Sequence, residues 1–235
     1  MTSTRIEQIA APGGDHFDGY LWSPDGEEGP GILLLQEIFG VGSYLRAVAD
    51  RLCSLGYTVL APDLFWRIER NVALEHDQAG LERGFELVGS FDFEQGLADC
   101  EAALDHLRRI PETGGRAGVV GFCLGGSLAY LIATRYGPDV AVSYYGSGIA
   151  DALVQPSDLR CPTLLHFGSE DSFIPMDAVD KIQQAFGSLD NVDIRIHPAG
   201  HAFDNHEAPM FYNAAAADEA WKITTAFLRS ELPVS

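Results

Sequence analysis

Residues 118–130 read GVVGFCLGGSLAY, an apolar run that ends in Gly121-Phe122-Cys123-Leu124-Gly125-Gly126 and continues in a helical pattern. A strand that turns straight into a helix brings the two backbones almost into contact, so glycine is required beside the central residue. Side chains at Gly121 and Gly125 are expected to collide there. The central sulfur is left exposed at a helix N-terminus, where the helix dipole favours thiolate over thiol. That is the setting for a cysteine nucleophile. The competing reading is a buried cysteine in a glycine-rich, phosphate-type strand–helix turn, and the rest of the chain has to decide between them.

A nucleophile needs a base, and the base needs a group to orient it. Downstream, PTLLHFG (162–168) runs into SEDSFIP, which offers Glu170 and Asp171, and VDIRIHP (192–198) runs into AGHAFDNH, which offers His201. A G-x-C-x-G-G turn followed by an acid and then a histidine, each after its own strand, matches the α/β-hydrolase elbow with cysteine in place of serine. Asp171 is preferred to Glu170, which reads equally well as a solvated loop carboxylate. His201 is expected just past the glycine of a sharp post-strand turn. His206 is its only rival, because His166 lies in an apolar strand, His197 ends a strand, and His16, His76 and His106 precede the elbow. LLLQEIFG (33–40) ends an early buried strand where this fold supplies its second oxyanion-hole donor, so the hole is expected from the backbone N–H groups of Ile38 and Leu124. Glu37 would stand close to the sulfur, or alternatively pair with an arginine.

The elements that must position these residues alternate. Strand candidates lie at 31–37, 57–62, 117–122, 140–146, 162–168 and 192–198. Helix candidates lie at 43–55, 93–110, 124–136, 176–187 and 210–230. Nearly continuous apolar strands alternating with helices predict a mostly parallel, doubly wound sheet with helices on both faces. Segment 5–23 reads as a strand pair extending one edge, and 62–75 as an irregular stretch that caps or lines a pocket. With 235 residues, 46% hydrophobic, one domain over 1–235 is expected.

The net charge of −19, from 15 Lys and Arg against 34 Asp and Glu, disfavours nucleic acid as a partner. An anionic substrate would need an arginine held locally. Cys53, Cys100 and Cys161 sit among apolar neighbours as fillers, and the four cysteines show no metal-type spacing. No cofactor and no metal are expected. No long apolar run or basic leader is visible, so the expectation is a cytoplasmic protein without a membrane partner, monomeric or weakly dimeric, acting on a small molecule.

Taken together, GFCLGG, GSEDSFIP, GHAF and LLLQEIFG resemble the dienelactone hydrolase family, and the match spans nearly the whole chain. The resemblance implies a compact α/β-hydrolase without a large lid, opening an enol-lactone (dienelactone to maleylacetate type) through a Cys123-His201-Asp171 triad and a thioester acyl-enzyme. It implies that Glu37 contacts the resting thiol and takes its proton when substrate arrives, which protects sulfur from oxidation. It also implies a substrate-carboxylate role for Arg83 in LERGFEL, a residue that otherwise reads as a helix-surface arginine pairing with Glu82 or Glu86. The second arginine that the family places after the histidine is missing from His201-Ala202-Phe203-Asp204-Asn205-His206, and Asp204 would repel a carboxylate. Among aromatic residues, Phe39 and Tyr145 are the preferred pocket residues, ahead of Trp66, Phe85, Tyr144, Phe173 and Phe203.

Sulfur is a good leaving group as well as a good nucleophile, so a cysteine enzyme suits a substrate whose own leaving group is stabilised, as an enolate is. The alternatives are a general small-acyl carboxylesterase or thioesterase, another cysteine-elbow fold of amidotransferase or peptidase type, and a non-catalytic binding or redox-sensing protein built on Cys123. An ordered acid and base argue against the last, because a sensor needs neither.

Overall fold

Five strands are buried at every position: β3 (Gly31–Leu35), β4 (Thr58–Pro62), β5 (Ala117–Phe122), β6 (Ala141–Tyr144) and β7 (Thr163–Gly168). Their near-continuous apolar sequences have no polar face to offer water, so they form only where other elements cover them. A computed structural model describes residues 2–24 and 28–234. The chain divides into two compact units, one running up to Gly118 with Val234 joined to it, the other Val119–Pro233.

In the first unit the strand order is β1 (Thr2–Ala10), β2 (His16–Pro24), β4, β3. The β1–β2 pair is the antiparallel edge expected from segment 5–23, with Ile6 opposite Tyr20, and β3 and β4 run parallel. Helix α1 (Ser43–Ser54) buries Tyr44, Leu45, Val48, Ala49, Leu52 and Cys53 along one face against β2 and β4. A second helix, Gln78–Gly89 (α2), is absent from the pattern reading; Asp77 caps it by accepting the Gly80 N–H. Helix α3 (Phe93–Arg109) follows and packs on β3 and β4.

The second unit has the order β5, β6, β7, β8 (Val192–His197), all parallel. Helix α4 (Leu124–Arg135) is buried along almost its whole length and lies against β6. Helices α5 (Met176–Phe186) and α6 (Ala214–Glu231) complete the unit, α6 against β7 and β8. The strand predicted over 31–37 stops at Leu35, and two further bounds shift for clear local reasons. β6 stops at Tyr144 rather than 146 because Tyr145 adopts φ 40°, which no strand continues. The last helix begins at Ala214 rather than 210, where Asn213 caps it through the Ala216 N–H. No insertion large enough for a lid domain occurs among the described residues, and none of their helices is long and apolar enough to cross a membrane.

Candidate active site

Cys123 follows β5 directly and is the N-cap of α4, with φ 52° and ψ −112°, a conformation held from both sides. Its N–H donates to the Tyr144 carbonyl at 3.0 Å, and its carbonyl accepts the Ser127 N–H at 3.0 Å. A side chain at Gly121 would overlap the Gly125 backbone, as the elbow reading requires. The structure adds a second close approach: a Cβ on Gly126 would lie 2.5 Å from the Tyr144 carbonyl oxygen, so Gly126 lets α4 press onto β6. Cys123 is partly exposed, whereas Cys53, Cys100 and Cys161 are buried, and all four are free thiols.

His201 and Asp171 reach Cys123 from the loops after β8 and β7. His201 Nε2 lies 3.2 Å from Cys123 Sγ, and His201 Nδ1 lies 2.7 Å from Asp171 Oδ2. The other Asp171 oxygen accepts the N–H groups of Phe173 at 2.8 Å and Ile174 at 3.2 Å, which clamps the carboxylate. Burial acts to lower the His201 pKa, but the hydrogen bonds to Asp171 and Cys123 and their charges raise it to about 10. Glu170 is exposed, and the exposed His206 faces Glu207 at 3.6 Å. Gly200 does not make the sharp turn: its backbone is ordinary, and Ala202 takes the left-handed position at φ 53°.

Aromatic rings box in the imidazole. Tyr145, fully buried, meets His201 edge-on with centroids 5.2 Å apart, and Phe203 backs Tyr145 at 5.2 Å. Phe173, 52% exposed, covers the imidazole from another side at 5.0 Å. Asp204 is buried.

Leu124 opens α4 directly after Cys123, and the remaining predicted residues belong to the first unit. Glu37, Ile38 and Phe39 follow β3 and are all buried. Their loop is stitched to the irregular stretch: the Leu74 N–H donates to the Phe39 carbonyl at 2.9 Å, and the Val41 N–H to the Val72 carbonyl at 3.0 Å. Gly40, at φ 77°, allows that approach. The Phe39 ring packs on His76, and Ile38 lies against Gly84 of α2. Arg83 is half-exposed on α2 and binds two carboxylates, Glu86 at 2.8 Å and Glu69 at 2.6 Å. Trp66 instead joins Arg67 and the buried Asp99. No cluster of His, Cys, Asp and Glu suited to a metal occurs among the described residues.

A parallel strand ending in a strained cysteine elbow, with aspartate after the third and histidine after the fourth strand of the same parallel set, is the arrangement of an α/β-hydrolase. The chain belongs to the dienelactone hydrolase family, whose family model matches residues 17–232, and it is a hydrolase of that family. It is 36% identical over 208 residues to a carboxymethylenebutenolidase of Pseudomonas putida, covering 87% of each chain. It is 32% identical over 216 residues to carboxymethylenebutenolidase 1 of Cupriavidus pinatubonensis, covering 92% of each. Among solved structures, a candidate dienelactone hydrolase from Klebsiella pneumoniae matches with a TM-score of 0.80 at 26% identity, covering 97% of this chain and 98% of that one. A Pyrococcus furiosus esterase at 16% identity shares the fold, with a TM-score of 0.70 over 97% of this chain and 93% of its own.

Proposed function

We propose that this chain, working as one hydrolase domain in the cytoplasm, opens an enol-lactone of dienelactone type through a thioester on Cys123. The observation that carries the reading is the line Cys123 Sγ, His201, Asp171, with gaps of 3.2 and 2.7 Å, at the elbow of a dienelactone hydrolase family member. The carboxymethylenebutenolidases among its relatives supply the substrate class.

In this scheme substrate arrival displaces Glu37, which takes the thiol proton, and the Cys123 thiolate attacks the lactone carbonyl. The N–H groups of Leu124 and Ile38 hold the oxyanion. Collapse breaks the ring C–O bond and expels an enolate, which takes a proton from the His201 imidazolium. Neutral His201 then removes a proton from water, and the hydroxide attacks the thioester. Collapse releases the Cys123 thiolate, which recovers its proton from Glu37, while the new carboxylic acid gives its proton to solvent. The raised His201 pKa suits a group that must first be an acid and only then a base. Arg83 is the candidate for a substrate carboxylate, which must compete with Glu69 and Glu86 for it.

That competition favours a second reading, a small-acyl esterase acting on neutral substrates. Comparing kcat/KM for a dienelactone and p-nitrophenyl acetate separates the two. A preference of about 100-fold or more for the lactone is expected, because p-nitrophenolate leaves at least as readily as an enolate and only the fit of the lactone to the site then separates the two. Cys123→Ala is expected to fall about 1,000-fold or more on both substrates. Activity retained in Cys123→Ala would end the triad reading, and equal rates on the two substrates would end the lactone reading.

A further inference from the structure

A buried chain of polar groups lies in the second unit, behind the loops that carry Tyr145, Asp171 and His201. His166 Nδ1 is 2.9 Å from His197 Nε2, His166 Nε2 is 3.0 Å from Thr224 Oγ1, and Thr224 Oγ1 is 2.7 Å from the Tyr144 hydroxyl. His197 Nδ1 faces Glu219 at 3.9 Å. Running the donors from Tyr144 to Glu219 satisfies every group in turn with both imidazoles neutral and one N–H on each. The side chains thus tie β6, β7, β8 and α6 together.

The same two residues tie the loops through their backbones. The His166 carbonyl accepts the Tyr145 N–H at 2.8 Å. The His197 carbonyl accepts the N–H groups of Ser169 and Ala199, each at 2.8 Å, and the Ala199 carbonyl accepts that of Glu170 at 2.9 Å. These contacts fix the residue whose ring touches His201, the residues just before Asp171, and the approach to His201.

We infer that the His166–His197 pair is a positioning element for the active site, fastening the loops of Tyr145, Asp171 and His201 only while both rings are neutral, and so setting the acid limit of hydrolysis. The inference rests on the triad reading above. His166 is 0% and His197 2% exposed, so a second proton on His197 would set its Nε2–H against the Nδ1–H of His166, and one on His166 would set its Nε2–H against the Thr224 hydroxyl proton, both out of reach of water. The surrounding charges give little relief. Arg195 on β8 repels an imidazolium on either ring, Glu219 on α6 favours one on His197 but is largely exposed, and Tyr144 on β6 and Thr224 on α6 are neutral partners. Burial, with Arg195 adding to it, accordingly holds both rings below the usual histidine range, His166 well below it.

The sign follows. The opened state takes up protons at about pH 6.5 and the fastened state does not, so the tie holds above that pH and weakens below it, about tenfold per pH unit for each ring. In the free enzyme His201, raised to about 10, keeps its proton throughout this range.

The test is His197→Gln, whose side-chain oxygen accepts the His166 N–H without titrating. At pH 8 the variant should keep kcat/KM within about threefold of native. Below pH 6.5, the fall in kcat/KM on p-nitrophenyl acetate should be steeper than one proton in the native enzyme and shallower by about one proton in the variant. A folded His197→Gln whose acid limb superimposes on native would overturn the inference. Native protein gives a second readout that needs neither the variant nor turnover. Ring 15N shifts should show neutral His166 and His197 at pH 8, and amide protection at Tyr145, Ser169 and Ala199 should fall relative to Val120 between pH 8 and pH 5. Unchanged relative protection across a collapse in activity would also overturn it. Failure of the triad reading has a different signature, namely retained hydrolysis in Cys123→Ala.

Discussion

Asp171 Oδ2 stands 2.7 Å from His201 Nδ1 across the loops of two adjacent parallel strands. The carboxylate is anchored by two backbone N–H groups on its other oxygen, so it fixes the tautomer and the tilt of the ring as well as its charge. Asp171→Asn keeps a hydrogen-bonding partner but loses the charge, and kcat/KM is expected to drop about 1,000-fold. Stability should respond in a pH-dependent way. A histidine raised in the folded state stabilises fully below its unfolded value of about 6.5 and loses that contribution as pH rises toward the folded value. That value is about 10 for His201. Urea titrations should therefore show Asp171→Asn further below native at pH 6 than at pH 10, and a gap that widens with pH would contradict the ion pair.

Two glycines near the triad make opposite predictions. Alanine at Gly121 would drive its Cβ into the Gly125 backbone, and a loss of about 3 kcal/mol is expected, because neither backbone segment can move without displacing Cys123. Alanine at Gly200 meets only the Glu170 carbonyl at 3.8 Å, an ordinary contact, on a backbone that any residue adopts. It should change stability by less than about 0.5 kcal/mol. Denaturation midpoints of the two variants decide both points.

That contrast marks what the chain's pattern could reveal. Cys123, Asp171 and His201 are legible because each is placed by local grammar, a strand end plus the loop that follows it, and parallel strands bring those ends to one edge. Gly121 is legible for the same reason. Gly200 misleads because the left-handed turn falls one residue after His201, on Ala202, where alanine gives no signal. Helix α2 is missed because Gly80 and Gly84 weaken its pattern and the irregular stretch 62–75 runs up to it. The glycine at 84 is explained only by the packing of Ile38 against it. Arg83 reads correctly as a helix-surface residue that pairs with Glu86, but its other partner is Glu69, 14 residues away, rather than Glu82. His166 reads as a satisfied core histidine, which it is, yet its partners His197 and Thr224 lie 31 and 58 residues away and no local pattern announces them.

Arg83 tests the identity of the substrate. Its two glutamate partners leave a substrate carboxylate to displace one of them, so a modest and selective role is expected. Arg83→Ala should lower kcat/KM for a carboxylate-bearing lactone about tenfold and leave a neutral lactone of the same ring unchanged. Equal losses on the two would remove Arg83 from substrate binding.

Phe173 offers the sharpest separation between stability and recognition. Its ring is 52% exposed yet lies 5.0 Å from the His201 imidazole, so it contributes little to the core and is placed to meet whatever approaches His201. Its contribution to Asp171 comes through the backbone N–H, which a substitution leaves in place. Phe173→Ala should therefore change the unfolding free energy by less than about 1 kcal/mol, whereas truncation of a core ring costs about 3 to 5 kcal/mol. On a planar conjugated lactone, which stacks on an aromatic face, kcat/KM should fall about tenfold, with the loss mainly in KM; on trifluoroethyl acetate, which has no planar ring, the fall should stay within about threefold. An equal fall on both substrates, carried by kcat, would instead make Phe173 a support for the His201 ring.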